Sequence, residues 1–257
     1  MTALGLRSGS RLGFGSKRRR VGSTESQPES PDQISSLAFW YDAELSPTIE
    51  TGGAIERWDD LSGNDNHANQ TASDERPLKV TDGAGRDVLR FDGIDDTLAI
   101  VGPPDLAAGV SLFIVFAIRT RSDFSGIVSA AAATGTDHEG FFTLQNASAA
   151  SGQFQWLGRS AEADPLLIQR NDGGLIGLAV LSAGGGNAIF QDLEGQGTDS
   201  YDGPFAIPAQ IILGGHYETG TFGYAAVDIY ELGLYARALT VGERAAVYDY
   251  LTNKYEL

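Results

Sequence analysis

The stretch from Val110 to Ile118, VSLFIVFAI, is apolar at nearly every position. Successive side chains of a strand point to opposite faces, so a strand with one wet face alternates apolar and polar residues. A run that is apolar on both faces needs cover on both sides, as a central strand of a packed β-sandwich has. Its β-branched and aromatic content favours strand over helix. Shorter runs of the same kind recur at 37–41, 88–91, 98–101, 126–131, 141–144, 153–157, 166–169, 175–181, 188–191, 211–213 and 224–235. Glycine and aspartate fill gaps such as 59–66, 82–86 and 92–96, which suits turns. Strands do not alternate with helices, which argues against a parallel α/β fold.

One helix is signalled, at the C-terminal end. Thr240 and Glu243 have the spacing of a capping box, in which each side chain satisfies a backbone N–H of the other's residue. Val247, Leu251 and Tyr255 then recur every fourth residue and form one apolar stripe to lay on the sandwich. The chain has no cysteine, so the fold must stand on its packed core without disulfides or thiolate metal sites. No apolar stretch reaches membrane-spanning length.

Charge is unevenly placed. Arg7, Arg11, Lys17, Arg18, Arg19 and Arg20 put six of the 18 basic residues into the first twenty positions, with no acid among them. The rest of the chain carries 12 basic against 34 acidic residues, and an acidic body repels nucleic-acid phosphates. Residues 1–20 are Gly, Ser, Leu and Arg in a loose pattern, and 22–33 (GSTESQPESPDQ) form a polar Pro/Ser linker. Neither can bury enough apolar surface to fold alone. Two units are therefore expected: an arm and linker over residues 1–35, and a sandwich over 36–257. Residues 1–20 show no apolar signal-peptide core, so no secretory signal is expected, and the sequons at Asn69 and Asn146 are read as chance matches.

Three segments resemble the laminin-G-like, concanavalin-A-like jelly-roll modules common in bacterial and phage proteins. The first is LAFWYDA (37–43) followed by WDDLSGNDNHA (58–68). The second is Arg76-Pro77 leading to VLRFDGIDDTL (88–98). The third is IYELGLYARALT (229–240) with YLTNKY (250–255). The resemblance implies an all-β jelly-roll sandwich of two antiparallel sheets, with an extended N-terminal arm and one C-terminal helix. It leaves function open, because this fold carries lectins, glycosidases, adhesion modules and virion proteins alike.

Glycosidases on this fold use paired carboxylates on one strand as nucleophile and acid. The nearest match, AVDIYE (226–231), has Ala226 at the nucleophile position, and the resemblance makes Glu231 structural; no catalytic residue is therefore assigned. His67, His138 and His216 are scattered and form no recognised motif. Calcium takes roughly six to eight oxygen ligands, usually from loops. Asp59, Asp60, Asp92, Asp95 and Asp96 are the candidates, although Asp and Asn in loops serve equally well as turn formers. Trp156, Tyr201, His216 and Tyr217 fall in or near predicted loops, where aromatic rings could stack on sugars. Trp40 and Trp58 are assigned to the core. The basic arm reads as a nucleic-acid tether, a localisation signal or an assembly arm; Leu4, Leu6, Leu12 and Phe14, interleaved with its basic residues as apolar anchors, suit assembly onto a partner.

Together these features lead to the expectation of a non-enzymatic virion protein: a capsid decoration, head-fibre or tail-associated component. It would assemble in the host cytoplasm, dock on other virion proteins through its arm, sit there in many copies, and face host glycans with its sandwich. It would require no cofactor, calcium being a candidate ligand only, and the folded domain would bind neither membrane nor nucleic acid. A bacterial carbohydrate-binding or adhesion module is the alternative, and a glycoside hydrolase the third reading.

Overall fold

In a computed structural model of the chain, the structure describes residues 30–131, 142–146, 153–158, 166–169, 177–184, 187–191, 196–200, 209–216 and 223–257. The arm residues Leu4, Leu6, Arg7, Arg11, Leu12, Phe14, Lys17, Arg18, Arg19 and Arg20 lie outside these. The strands are β1 (Leu37–Asp42), β2 (Thr48–Thr51), β3 (Ala54–Trp58), β4 (Ala68–Asn69), β5 (Leu78–Thr81) and β6 (Asp87–Asp92). There follow β7 (Leu98–Val101), β8 (Val110–Thr120), β9 (Gly126–Ala131), β10 (Phe142–Asn146), β11 (Gln153–Gly158) and β12 (Leu166–Gln169). The last are β13 (Gly177–Gly184), β14 (Asn187–Gln191), β15 (Gln196–Ser200), β16 (Gln210–Leu213) and β17 (Ala226–Tyr235), before helix α1 (Val241–Tyr255).

One sheet runs β15-β14-β13-β8-β17. The free side of β17 is shared along its length: β6 pairs with residues 226–229 and β1 with 231–235. The other sheet runs β12-β11-β10-β9-β16-β7-β4-β3-β2. All of these pairings are antiparallel. β5 bridges β6 and β3 and joins the two sheets at one margin. This is the all-β jelly-roll sandwich with one C-terminal helix that the sequence predicts.

The run on β8 has two apolar faces because it serves two cores. Val110, Leu112, Ile114 and Phe116 face the space between the sheets, with Phe39, Tyr41, Trp58, Phe91 and Leu213. Phe113 and Val115 face the other way, into a second cluster with Trp40, Val88, Tyr230, Val247, Leu251 and Tyr255. Helix α1 is the cover for that outer face. Its Thr240–Glu243 capping box is present, with the Thr240 side chain accepting from the Glu243 backbone and Glu243 accepting from the Thr240 N–H. Among the described residues no helix is long and apolar enough to cross a membrane.

A bulge re-aims β17. Its pairing with β8 slips between Ile229 and Glu231, so one residue on β17 has no opposite number. Val227 and Ile229 point into the inter-sheet core, and so do Leu232 and Leu234. The extra residue sets Tyr230 and Glu231 side by side on the outer face, where both meet Tyr255 of the helix. Gly233 is needed two positions on. A Cβ there would lie 2.4 Å from the Phe113 ring.

The folded part begins before residue 36. Pro31 and Ile34 are buried, Ile34 in the outer cluster, and the Tyr235 hydroxyl donates to the Pro31 carbonyl at 3.0 Å.

Candidate binding groove

An open groove of about 1010 Å³ lies on the outer face of the first sheet, beside the end of α1. Its charged wall comes from three strands and one turn: Arg86 and Asp82 from the β5–β6 turn, Arg90 from β6, Arg119 from β8, and Asp228 from β17. Tyr230, Tyr255, Glu256 and Leu257 complete the helix side.

Strand register sets the main contact. Arg90 and Asp228 are direct partners in the β6–β17 ladder. The guanidinium donates to both carboxylate oxygens, from Nε at 2.8 Å and from Nη2 at 2.7 Å. Asp228 is buried, while about a third of the Arg90 side chain is exposed. Arg119, which also lines the groove, approaches the same carboxylate only to 3.9 Å and is 40% exposed. A bidentate arginine is a rigid fork, whereas a loosely placed one can close on a ligand.

Asp82 organises the turn. Its carboxylate accepts from the Ala84 and Arg86 backbones at 2.8 and 2.9 Å, from Arg86 Nε at 3.1 Å, and from the Tyr230 hydroxyl at 3.0 Å. Burial works to raise its pKa, but these hydrogen bonds outweigh it and hold the carboxyl at about 2. The Arg86 guanidinium lies 5.3 Å over the Tyr230 ring, and Tyr230 meets Tyr255 edge to face at 6.0 Å. The groove is therefore preset, with both of its deep carboxylates, Asp82 and Asp228, held by arginines.

Glu231 is not in the groove. It is fully buried beneath the helix and accepts from Trp40 Nε1 at 2.8 Å, Tyr250 at 3.0 Å, Tyr255 at 2.9 Å and Lys254 at 2.6 Å. Burial pushes its pKa up against the pull of Lys254. Asp228 and Glu231 thus face different surroundings, one an arginine at a groove and the other a closed cage. Ala226 supplies no third carboxylate.

The loop acids divide into two groups. Asp59 pairs with Arg57 at 2.5 Å, and Asp60 accepts from the backbones of Trp40, Ser62 and Asn66 and from the Ser62 hydroxyl. The bond from Trp40 ties the 58–68 segment to β1, and the other three fold that segment on itself. Asp92, Asp95 and Asp96 come together, with one oxygen of each within 4.8 Å of the others. Burial, then the charges of Asp92 and Asp95, lift Asp96 to about 6 against a hydrogen bond from the Asp92 backbone. Of the residues expected to stack on sugars, only the side chain of His216 belongs to the described part of the structure. His216 is buried, Trp156 contributes its backbone to β11, and Tyr201 and Tyr217 lie outside the described residues. Trp40 and Trp58 are core residues, as expected.

The architecture is that of an all-β jelly-roll sandwich, with the groove on the outer face of one sheet. No family model and no curated protein matches the sequence. Solved structures do match in shape. A Trypanosoma rangeli sialidase in complex with sialic acid superposes with TM-score 0.61 at 16% identity, over 86% of this chain and 33% of the sialidase. The same enzyme bound to 2,3-difluoro-KDN gives TM-score 0.60 at 14% identity, over 95% of this chain and 36% of that one. The binding domain of botulinum neurotoxin DC in complex with rat synaptotagmin II gives 0.56 at 9%, over 87% and 52%. The chain therefore spans about a third of the sialidase and half of the toxin domain, and the likeness is one of fold.

These matches correct the expected virion role. The shapes this chain shares are those of a sialidase and a neurotoxin binding domain, and none of the three is a virion component. The assignment to a capsid decoration, head fibre or tail-associated protein does not stand.

Proposed function

We propose that this chain is a non-catalytic glycan-recognition module whose ligands are saccharides bearing an acidic group. The observation that carries this reading is the arginine-lined groove, above all Arg119, half-open beside a carboxylate that Arg90 already neutralises. A guanidinium fork matches a carboxylate or sulfate in geometry as well as charge. The body of the protein is acidic, whereas the groove sets three arginines against three acids, Asp82, Asp228 and Glu256. Arg86 and Arg90 are paired with the first two, so Arg119 is the less engaged cation there. Retaining or inverting glycoside hydrolysis needs one carboxyl group as acid and a second as nucleophile or base. Both deep carboxylates here are engaged by arginines, which favours binding over turnover. The shape shared with part of a sialidase and with a toxin binding domain supports a recognition role.

The test is retention on immobilised acidic and neutral polysaccharides, with the Arg119→Ala variant run in parallel. Acidic ligands should retain the protein, the variant should elute with the neutral controls, and no reducing sugar should appear. Equal retention of the variant, or sugar release abolished by Asp228→Asn, would overturn the reading.

A further inference from the structure

We propose that Lys254 and Asp42 join in an intramolecular amide bond, with Glu231 as the proton carrier. The argument is independent of the groove. Asp42 ends β1 and Lys254 lies in the last turn of α1, 212 positions apart. Asp42 and Glu231 are partners across the β1–β17 ladder, and both are fully buried. The Lys254 amine touches Asp42 Oδ2 and lies 2.6 Å from Glu231 Oε2.

Each part that amide formation needs is in place. The nucleophile is the Lys254 nitrogen, held against the carboxyl it would attack. The electrophile is Asp42 Cγ. Its other oxygen, Oδ1, accepts from the Glu44 N–H at 2.9 Å and from the Leu45 N–H at 3.4 Å. Those two amides point at the oxygen that gains charge when Cγ becomes tetrahedral. Glu231 is fixed by Trp40, Tyr250 and Tyr255, so its Oε2 stays beside the amine. Its burial, which favours the protonated form, suits it to hold a proton in transit.

The step balances. Lys254 enters as an ammonium and Asp42 as a carboxylate. Against burial, Glu231 and Asp42 hold the amine charged, so Glu231 first takes one proton from Nζ and passes it to Oδ2. The freed lone pair then attacks the neutral carboxyl at Cγ, and the C–O bond to Oδ2 breaks. The second ammonium proton follows to the same oxygen, one stays on the amide nitrogen, and water leaves. No oxidant, metal or cofactor is consumed. The product ties the first strand to the last helix, in a chain that has no cysteine for a disulfide.

Intact-mass measurement of the full chain tests this. The expected mass is that of the sequence less one water, and proteolysis should yield one branched peptide joining the Asp42 and Lys254 segments. Glu231→Gln should keep the full sequence mass, as should Lys254→Arg, which retains the positive charge without a primary amine. Full mass and linear peptides only in the parent chain would overturn the bond, whether or not the variants fold. Cross-linking that persists in Glu231→Gln would overturn the role of Glu231.

Discussion

Arg90 and Asp228 sit opposite each other on neighbouring strands and share two hydrogen bonds, at 2.8 and 2.7 Å, while Arg119 stands 3.9 Å off the same carboxylate. Two arginines so close to one acid have different tasks. Arg90 neutralises a buried charge, and removing it strands that charge. Arg90→Leu should lower stability by about 2 kcal/mol, between the values for exposed and buried pairs, since Arg90 itself is partly exposed. Arg119→Ala should change stability by less than about 0.5 kcal/mol. Urea denaturation of both variants checks the contrast, and equal losses would mean the pairing is shared.

Acid sensitivity should come from two carboxylates. The hydrogen bonds from Arg237 lower Glu243 first, with burial opposing and Thr240 helping, from 4.5 to about 2; Asp82 also falls to about 2, from 3.8. A depressed pKa in the folded state adds stability that is complete above the unfolded value and is lost as pH falls through the folded one. Stability should therefore decline between about pH 4.5 and pH 2. Glu243→Gln and Asp82→Asn should each flatten that limb while lowering stability at neutral pH. Melting temperatures across the range would show it, and an unchanged acid limb in both variants would sink the assignment.

The Asp92, Asp95 and Asp96 group presses like charges together. In chelator at low salt, Asp95→Asn should raise the melting temperature by relieving that repulsion, and added salt should shrink the gain. The same variant reads out the calcium expectation, because a bound ion would reverse the sign. Destabilisation by Asp95→Asn in calcium, with stabilisation in chelator, would report an ion held there.

Much of the fold is legible in the sequence where the pattern has one cause. Each run with continuous or alternating apolar character corresponds to a strand, and Val110–Ile118 announces its central place by lacking a polar face. β2, β3, β4, β5 and β15 escape that reading. β2 and β5 are largely exposed, with only Ile49 and Val80 as apolar β-branched residues, and β4 is two residues long. The groove is the least legible feature. Arg86, Arg90, Arg119 and Asp228 are spread over more than 140 positions and meet only through strand register. One local signal existed: an arginine inside an apolar strand, Val88 to Phe91, needs an acid partner. Glu231 could be recognised as structural, but its cage depends on a bulge that no residue pattern announces.

The boundary of the folded domain gives the last prediction. Residues 30–33 read as the end of a polar, proline-containing linker and 34–35 fall before the expected sandwich, yet the structure buries Pro31 and Ile34. Ile34 is 6% exposed within the cluster beneath α1, Pro31 is buried, and its carbonyl accepts from Tyr235. Arg237 reaches back to the Ser35 carbonyl and hydroxyl at 3.3 and 3.1 Å. A chain beginning at Ser30 should therefore melt like the full protein. One beginning at residue 36 loses the Ile34 side chain from a packed site and leaves the Tyr235 hydroxyl without its acceptor. Burial of one large aliphatic group is worth roughly 1.5–3 kcal/mol, and a buried unpaired hydroxyl costs about 1–3 more. The shorter truncation should thus be nearly neutral and the longer one clearly destabilising. Ile34→Ala in the full chain should reproduce about half of the longer truncation's loss, if the hydroxyl accounts for the rest. Equal melting temperatures for chains starting at 30 and at 36 would place the true start of the domain at β1.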